Sequence, residues 1–114
     1  MVTFTTAAKV KSTLRKYNTS ISDAEIEDFI SHAEGLIKAI MRGKFTAVFS
    51  SSKHGLIERA ATDLAAFDLL NYDPSSFSSV AEASMIGDFL WTSIELDIKL
   101  LTDERIIEYL NNAT

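Results

Sequence analysis

Residues that can do chemistry are few in this chain, and their spacing argues against most reactions. Ser50-Ser51-Ser52-Lys53-His54 contains a Ser-x-x-Lys spacing beside a histidine. Serine hydrolases of that type also need Ser-Asp-Asn and Lys-Thr-Gly partners. Neither occurs here, so the run reads as a serine-rich loop that caps the helix after it. Asp28 and His32 are four residues apart, a spacing that puts both on one helical face. With two histidines and no cysteine in the chain, a closed metal site is hard to assemble. Arg42-Gly43-Lys44 and Gly35 do not make a phosphate loop, because neither G-x-x-x-x-G-K-[ST] nor G-x-G-x-x-G is present. The pairs Glu25/Asp28 and Asp103/Glu104 fall at helix starts, where the helix dipole accounts for them. Trp91 and the seven phenylalanines suit a core better than a base-stacking platform. The residues predict no catalytic, cofactor or metal site, and a chain that is not an enzyme.

The elements that carry these residues read as helices. Four glycines and one proline are too few for many short strands joined by tight turns. Thr6 can cap a short first helix with Val10, Leu14 and Tyr17 on one face. Ser22 with Glu25 forms a capping box, and Ile21 before it can staple onto Ile26. The stripe Ile26, Phe29, Ile30, Ala33, Leu36, Ile37, Ile40, Met41 then predicts a helix over about 23–42, closed by Gly43. Residues 44–55 form a connection whose Phe45, Val48 and Phe49 either pack down on the core or anchor a neighbour. Of the two, core packing is favoured. A third helix spans about 53–71, with alanines that permit close approach, and ends before Pro74. Ser79 and Glu82 offer a capping box for a fourth over about 80–101. Within it, Ile94 to Leu100 alternates like a strand, but no second strand exists to pair with it, so helix is preferred. Thr102 is expected to cap a short terminal segment, with Leu101 stapled onto Ile106. The fold class is therefore all-α: a single domain over 1–114, a bundle of four to five helices, with 102–114 as a C-terminal extension. The expected core is Ile26, Phe29, Ile30, Ala33, Ile37, Leu56, Ala60, Leu64, Phe67, Leu90 and Ile94.

The 114 residues are 46% hydrophobic and 24% charged, which fits a soluble globular domain. No run approaches the ~20 apolar residues of a membrane span, and the first residues do not resemble a signal peptide. The expectation is a soluble chain, made inside the cell, with no membrane partner. The net charge of −5 is a poor basis for gripping a nucleic-acid backbone. It is unevenly spread. Residues 1–59 carry nine bases and six acids, and residues 60–114 carry two bases and ten acids. Such asymmetry predicts two electrically different faces.

The segment Lys11-Ser12-Thr13-Leu14-Arg15-Lys16-Tyr17-Asn18-Thr19-Ser20-Ile21-Ser22-Asp23-Ala24-Glu25-Ile26 leads into a long amphipathic helix. A later helix reads Leu56-Ile57-Glu58-Arg59-Ala60-Ala61-Thr62-Asp63-Leu64-Ala65-Ala66-Phe67-Asp68-Leu69-Leu70. In these patterns and their order the chain resembles the small head–tail adaptor (connector, or head-completion) proteins of tailed bacteriophages, over roughly residues 3–101. The resemblance implies a helical bundle without enzymatic activity or cofactor. It implies a ring of copies, commonly twelve, between the portal protein and a neck or tail-completion protein. DNA would pass through the lumen without sequence-specific binding. The place would be the neck of the virion, reached from the host cytoplasm during assembly. No functional residue is carried over from the family.

A ring joint is heterologous and needs two different faces. The charge split nominates Lys9, Lys11, Arg15 and Lys16 for the basic side and Asp88, Glu95 and Asp97 for the acidic side. Phe45 and Phe49 are the candidates for an apolar joint. Two other classes remain open: a small helical interaction or regulatory module with no virion role, and a helix-turn-helix DNA binder. The second would depend on the short basic helix around Lys9 to Lys16.

Overall fold

The computed structural model describes residues 4–13, 22–72 and 80–113, without the side chains of 72 and 80–83. Its described residues form five helices and no strand: α1 (Ala7–Thr13), α2 (Asp23–Met41), α3 (Gly55–Tyr72), α4 (Val80–Leu101) and α5 (Glu104–Asn111). Where the flanking residues are described, the helix boundaries follow from local chemistry. Thr6 Oγ1 accepts from the Lys9 amide at 3.3 Å and opens α1. Ser22 Oγ accepts from the Glu25 amide at 3.3 Å and opens α2, as the capping box requires. At its other end α2 stops one residue earlier than the apolar stripe predicts. Arg42 already adopts the left-handed conformation (φ 54°), and Gly43 continues it (φ 72°). The Lys44 amide then reaches back to the Met41 carbonyl at 3.0 Å. A left-handed turn is cheap at Gly43 and is strained at Arg42. Leu14, Arg15, Lys16, Tyr17, the Ile21 staple and the Ser79 cap lie outside the described residues.

Two sequence expectations are corrected at helix ends. α3 starts at Gly55, because His54 occupies the cap position and its carbonyl accepts from the Glu58 amide at 3.1 Å. α5 is capped by Asp103, whose Oδ1 accepts from the Arg105 amide at 2.9 Å. Thr102 instead turns its hydroxyl back to the Lys99 carbonyl at 2.8 Å and closes α4.

The centre of the bundle is α3, which packs against α1, α2 and α4. Its stripe of Ala60, Ala61, Ala65 and Ala66 is buried and has no bulk to hold neighbours apart. One apolar cluster joins Ala7 and Val10 of α1, Ile26, Ile30 and Ala33 of α2, Ala65, Ala66, Leu69 and Leu70 of α3, and Leu90 of α4. A second joins Phe4, Ile37, Met41, Ile57, Ala60, Ala61, Leu101, Ile107 and Leu110. Burying each large aliphatic side chain contributes about 1.5–3 kcal/mol, against about 1 kcal/mol for a cap. Caps therefore set where helices end, and these two clusters hold them together. Of the expected core, Ile26, Ile30, Ala33, Ile37, Ala60, Leu90 and Ile94 are buried, whereas Phe29, Leu56, Leu64 and Phe67 sit half-buried at its edge.

The strand-like run Ile94–Leu100 lies inside α4. Leu90, Ile94, Asp97 and Leu101 are its buried positions, spaced by four, three and four residues, so helical period overrides the alternation. The segment after residue 101 is built into the core through Ile107 and Leu110. Asn111 ties it to the long connection: its Oδ1 accepts from the Thr46 and Ala47 amides at 2.8 and 3.2 Å, and its Nδ2 donates to the Lys44 carbonyl at 2.8 Å.

Candidate functional site

His54, the histidine beside the Ser-x-x-Lys spacing of the serine-rich loop, is committed to structure by its surroundings. The ring is 2% exposed. Its Nδ1 accepts from the Ser50 amide at 2.9 Å, so the proton lies on Nε2, which donates to the Leu110 carbonyl at 2.9 Å. Phe45 meets the ring edge-on with centroids 5.0 Å apart, and Phe49 lies 5.9 Å away. Both nitrogens are engaged, so neither can take a proton from a substrate. Asp28 and His32 do not pair. His32 instead lies 3.6 Å from Asp68 of α3. Among the described residues no group of three or more His, Asp or Glu is placed to hold a metal ion.

The nominated interface residues separate into three groups. Arg15 and Lys16 lie outside the described residues. Lys9 and Lys11 are on α1, exposed but paired within the chain, to Glu58 at 2.9 Å and Asp23 at 2.6 Å. Phe45 and Phe49 pack against the second apolar cluster, and Phe49 also contacts Phe4 at 4.9 Å between centroids. With Phe4 and Met41 they wall an open groove of about 360 Å³, edged by Glu34 and Lys38. Asp88 and Glu95 are exposed on α4. Asp97 is not an outward acid: it is fully buried and bound by Arg59, so it leaves the acidic face.

That burial creates a polar cluster in the seam between α3 and α4. Arg59 Nε and Nη2 both donate to Asp97 Oδ1, at 3.0 and 2.5 Å. Asp97 Oδ2 is buried without a hydrogen-bond partner. One turn along α3 from Arg59, Asp63 is buried too, and its Oδ2 accepts from Ser93 Oγ at 2.8 Å. Burial pushes the Asp63 carboxyl up to about 6. Ser93 opposes the rise, the neighbouring Asp97 adds to it, and Arg59 opposes it from further off.

The opposite side of α4 carries a feature the charge argument overlooked. Met85, Phe89 and Leu96 are 67%, 77% and 51% exposed. Their spacing of four and seven residues lines them up along one face, and Asp88 and Glu95 run along one edge of that line. Trp91, further round the helix, rests on Phe67 with centroids 5.4 Å apart. The signal was present in the sequence: one helix carried two apolar stripes, and a helix needs only one to reach a core. A contiguous exposed apolar face of this kind marks an interaction surface more often than a scattered residue does.

No helix among the described residues is long and apolar enough to cross a membrane. No family model, curated protein or solved structure matches this chain.

Proposed function

We propose that this chain is a structural subunit whose copies assemble side by side into a ring, the ring that joins a phage portal to the neck or tail and continues the DNA channel. The observation that carries the assembly is the Met85–Phe89–Leu96 stripe with its acidic edge at Asp88 and Glu95. It is a partner surface on the acidic half of the chain, while the lysines of α1 belong to a different surface, built on α2 and α3. A head-to-tail joint requires two such unlike faces. The virion role rests on the resemblance of residues 3–101 to head–tail adaptors. An exposed acidic rim also suits a channel that DNA must pass without sticking.

The test is the mass of the assembly, by native mass spectrometry and light scattering, for the chain alone and with portal protein. A many-copy ring, formed alone or on the portal, is expected. A monomer or dimer that ignores the portal overturns the adaptor reading and favours a small interaction module that uses the same stripe.

A further inference from the structure

We propose that Asp63 holds a proton in the seam of α3 and α4, beside the buried carboxylate of Asp97, and that losing it as the medium approaches neutrality loosens the packing of α4 on α3. Two carboxyls are buried there on adjoining turns: Asp63 lies one turn along α3 from Arg59, which binds Asp97, and its donor Ser93 lies one turn along α4 from Asp97. Among the described residues Arg59 is the one cation paired with either. Arg59 directs two of its five N–H groups, one on Nε and one on Nη2, to Oδ1 of Asp97. Oδ2 of the same carboxylate is left with no donor in a dry position, which is costly. A proton on Asp63 removes both problems. It supplies the donor that Oδ2 lacks, and it brings the cluster of one cation and two acids to neutrality. Ser93 continues to donate to Asp63, so the acid keeps its orientation.

The charged groups on the other elements that face α3 are occupied elsewhere. Lys9 of α1 is on Glu58, Lys38 of α2 is on Glu34 at 3.1 Å, and His32 of α2 is beside Asp68. On α4 itself, Asp88, Glu95 and Lys99 are exposed, away from the seam. Among the described residues nothing else is paired with the two acids to compensate a second negative charge. When the proton leaves, two like charges face each other between Ile94 and Leu101, and relief requires water to enter the seam.

The experiment uses the full chain and its Asp63→Asn variant, whose amide keeps an acceptor for Ser93 and donates where the acid would. Carboxyl carbon resonances are followed by nuclear magnetic resonance from pH 4 to 8, and urea midpoints are compared from pH 4.5 to 7. The Asp63 carboxyl is expected to titrate near pH 6. The variant's midpoint is expected to rise relative to the unaltered chain as pH increases. An Asp63 carboxyl that titrates in the ordinary carboxylate range, or midpoints that run parallel in the two proteins, overturns the proposal. The resonance titration needs only the unaltered chain, so it decides the matter even if the variant does not fold.

Discussion

Single residues in this molecule matter most where a polar group is buried. The raised Asp63 carboxyl sets the sign of one pH effect. Its value in the folded chain, about 6, lies above the ordinary 3.8, so the native state holds a proton the unfolded chain has released. Stability from this group is complete below about pH 4, falls as pH rises to about 6, and is then lower by roughly 3 kcal/mol. This runs opposite to the usual carboxylate, and urea midpoints across that window, compared with Asp63→Asn, measure it. His54 is the second such residue. Replacing it with alanine removes both ring hydrogen bonds, strands the Ser50 amide, leaves the Leu110 carbonyl only its backbone donors at the end of α5, and opens a void beside Phe45. His54→Ala is expected to cost roughly 3 kcal/mol, read by chemical denaturation. A loss below about 1 kcal/mol would show that water replaces the ring. Neither role was legible beforehand. A histidine in a serine-rich loop reads from sequence as part of a helix cap, and only the fold reveals that its partners are backbone groups from residues 50 and 110.

At the scale of the helix, the sequence was legible where period and cap agree. Ser22 and the stripe from Ile26 to Met41 predict α2 closely, and Ser22→Ala is expected to lower stability by about 1 kcal/mol through loss of the acceptor for the Glu25 amide. Gly35 sits exposed within the same helix, and a methyl group there would meet nothing within 4 Å. Gly35→Ala should therefore raise the denaturation midpoint by an amount worth about 0.5–1 kcal/mol. Legibility failed where two signals compete. At α5, Thr102 and Asp103 are both good caps, and the choice falls to Asp103 because Thr102 is already bonded to Lys99. In α4 the core positions Leu90 and Ile94 were legible despite the alternation from Ile94 to Leu100, but Asp97 on the same buried face was not. An aspartate at a core position reads from sequence as a surface acid. Its partner Arg59 lies 38 residues away on another helix, so no local pattern reports the pair.

For the whole molecule, the question is what would hold copies together in the proposed ring. The charge split of the chain suggested lysines of one subunit against acids of the next. The structure weakens that account as the sole cause, because Lys9 and Lys11 already have partners on Glu58 and Asp23, and Asp97 is buried. An exposed ion pair is worth only about 0–1 kcal/mol, so exchanging an internal one for an intersubunit one gains little. In the proposed ring, covering Met85, Phe89 and Leu96 would remove apolar surface from water, at about 25 cal/mol per Å², and would outweigh single exposed ion pairs at the joint. Asp88 and Glu95, along its edge, would then steer the approach of a basic face rather than supply the binding energy. The two contributions separate experimentally. Phe89→Asp with Leu96→Asp should abolish the ring and leave the helical circular dichroism of the monomer intact, since both side chains are exposed in the single subunit. Lys11→Glu with Arg15→Glu should slow assembly and make it less sensitive to salt, without abolishing it at high protein concentration. Were the paired charge reversal to block the ring entirely while the stripe variant assembled normally, the joint would be electrostatic and the stripe would face some other partner.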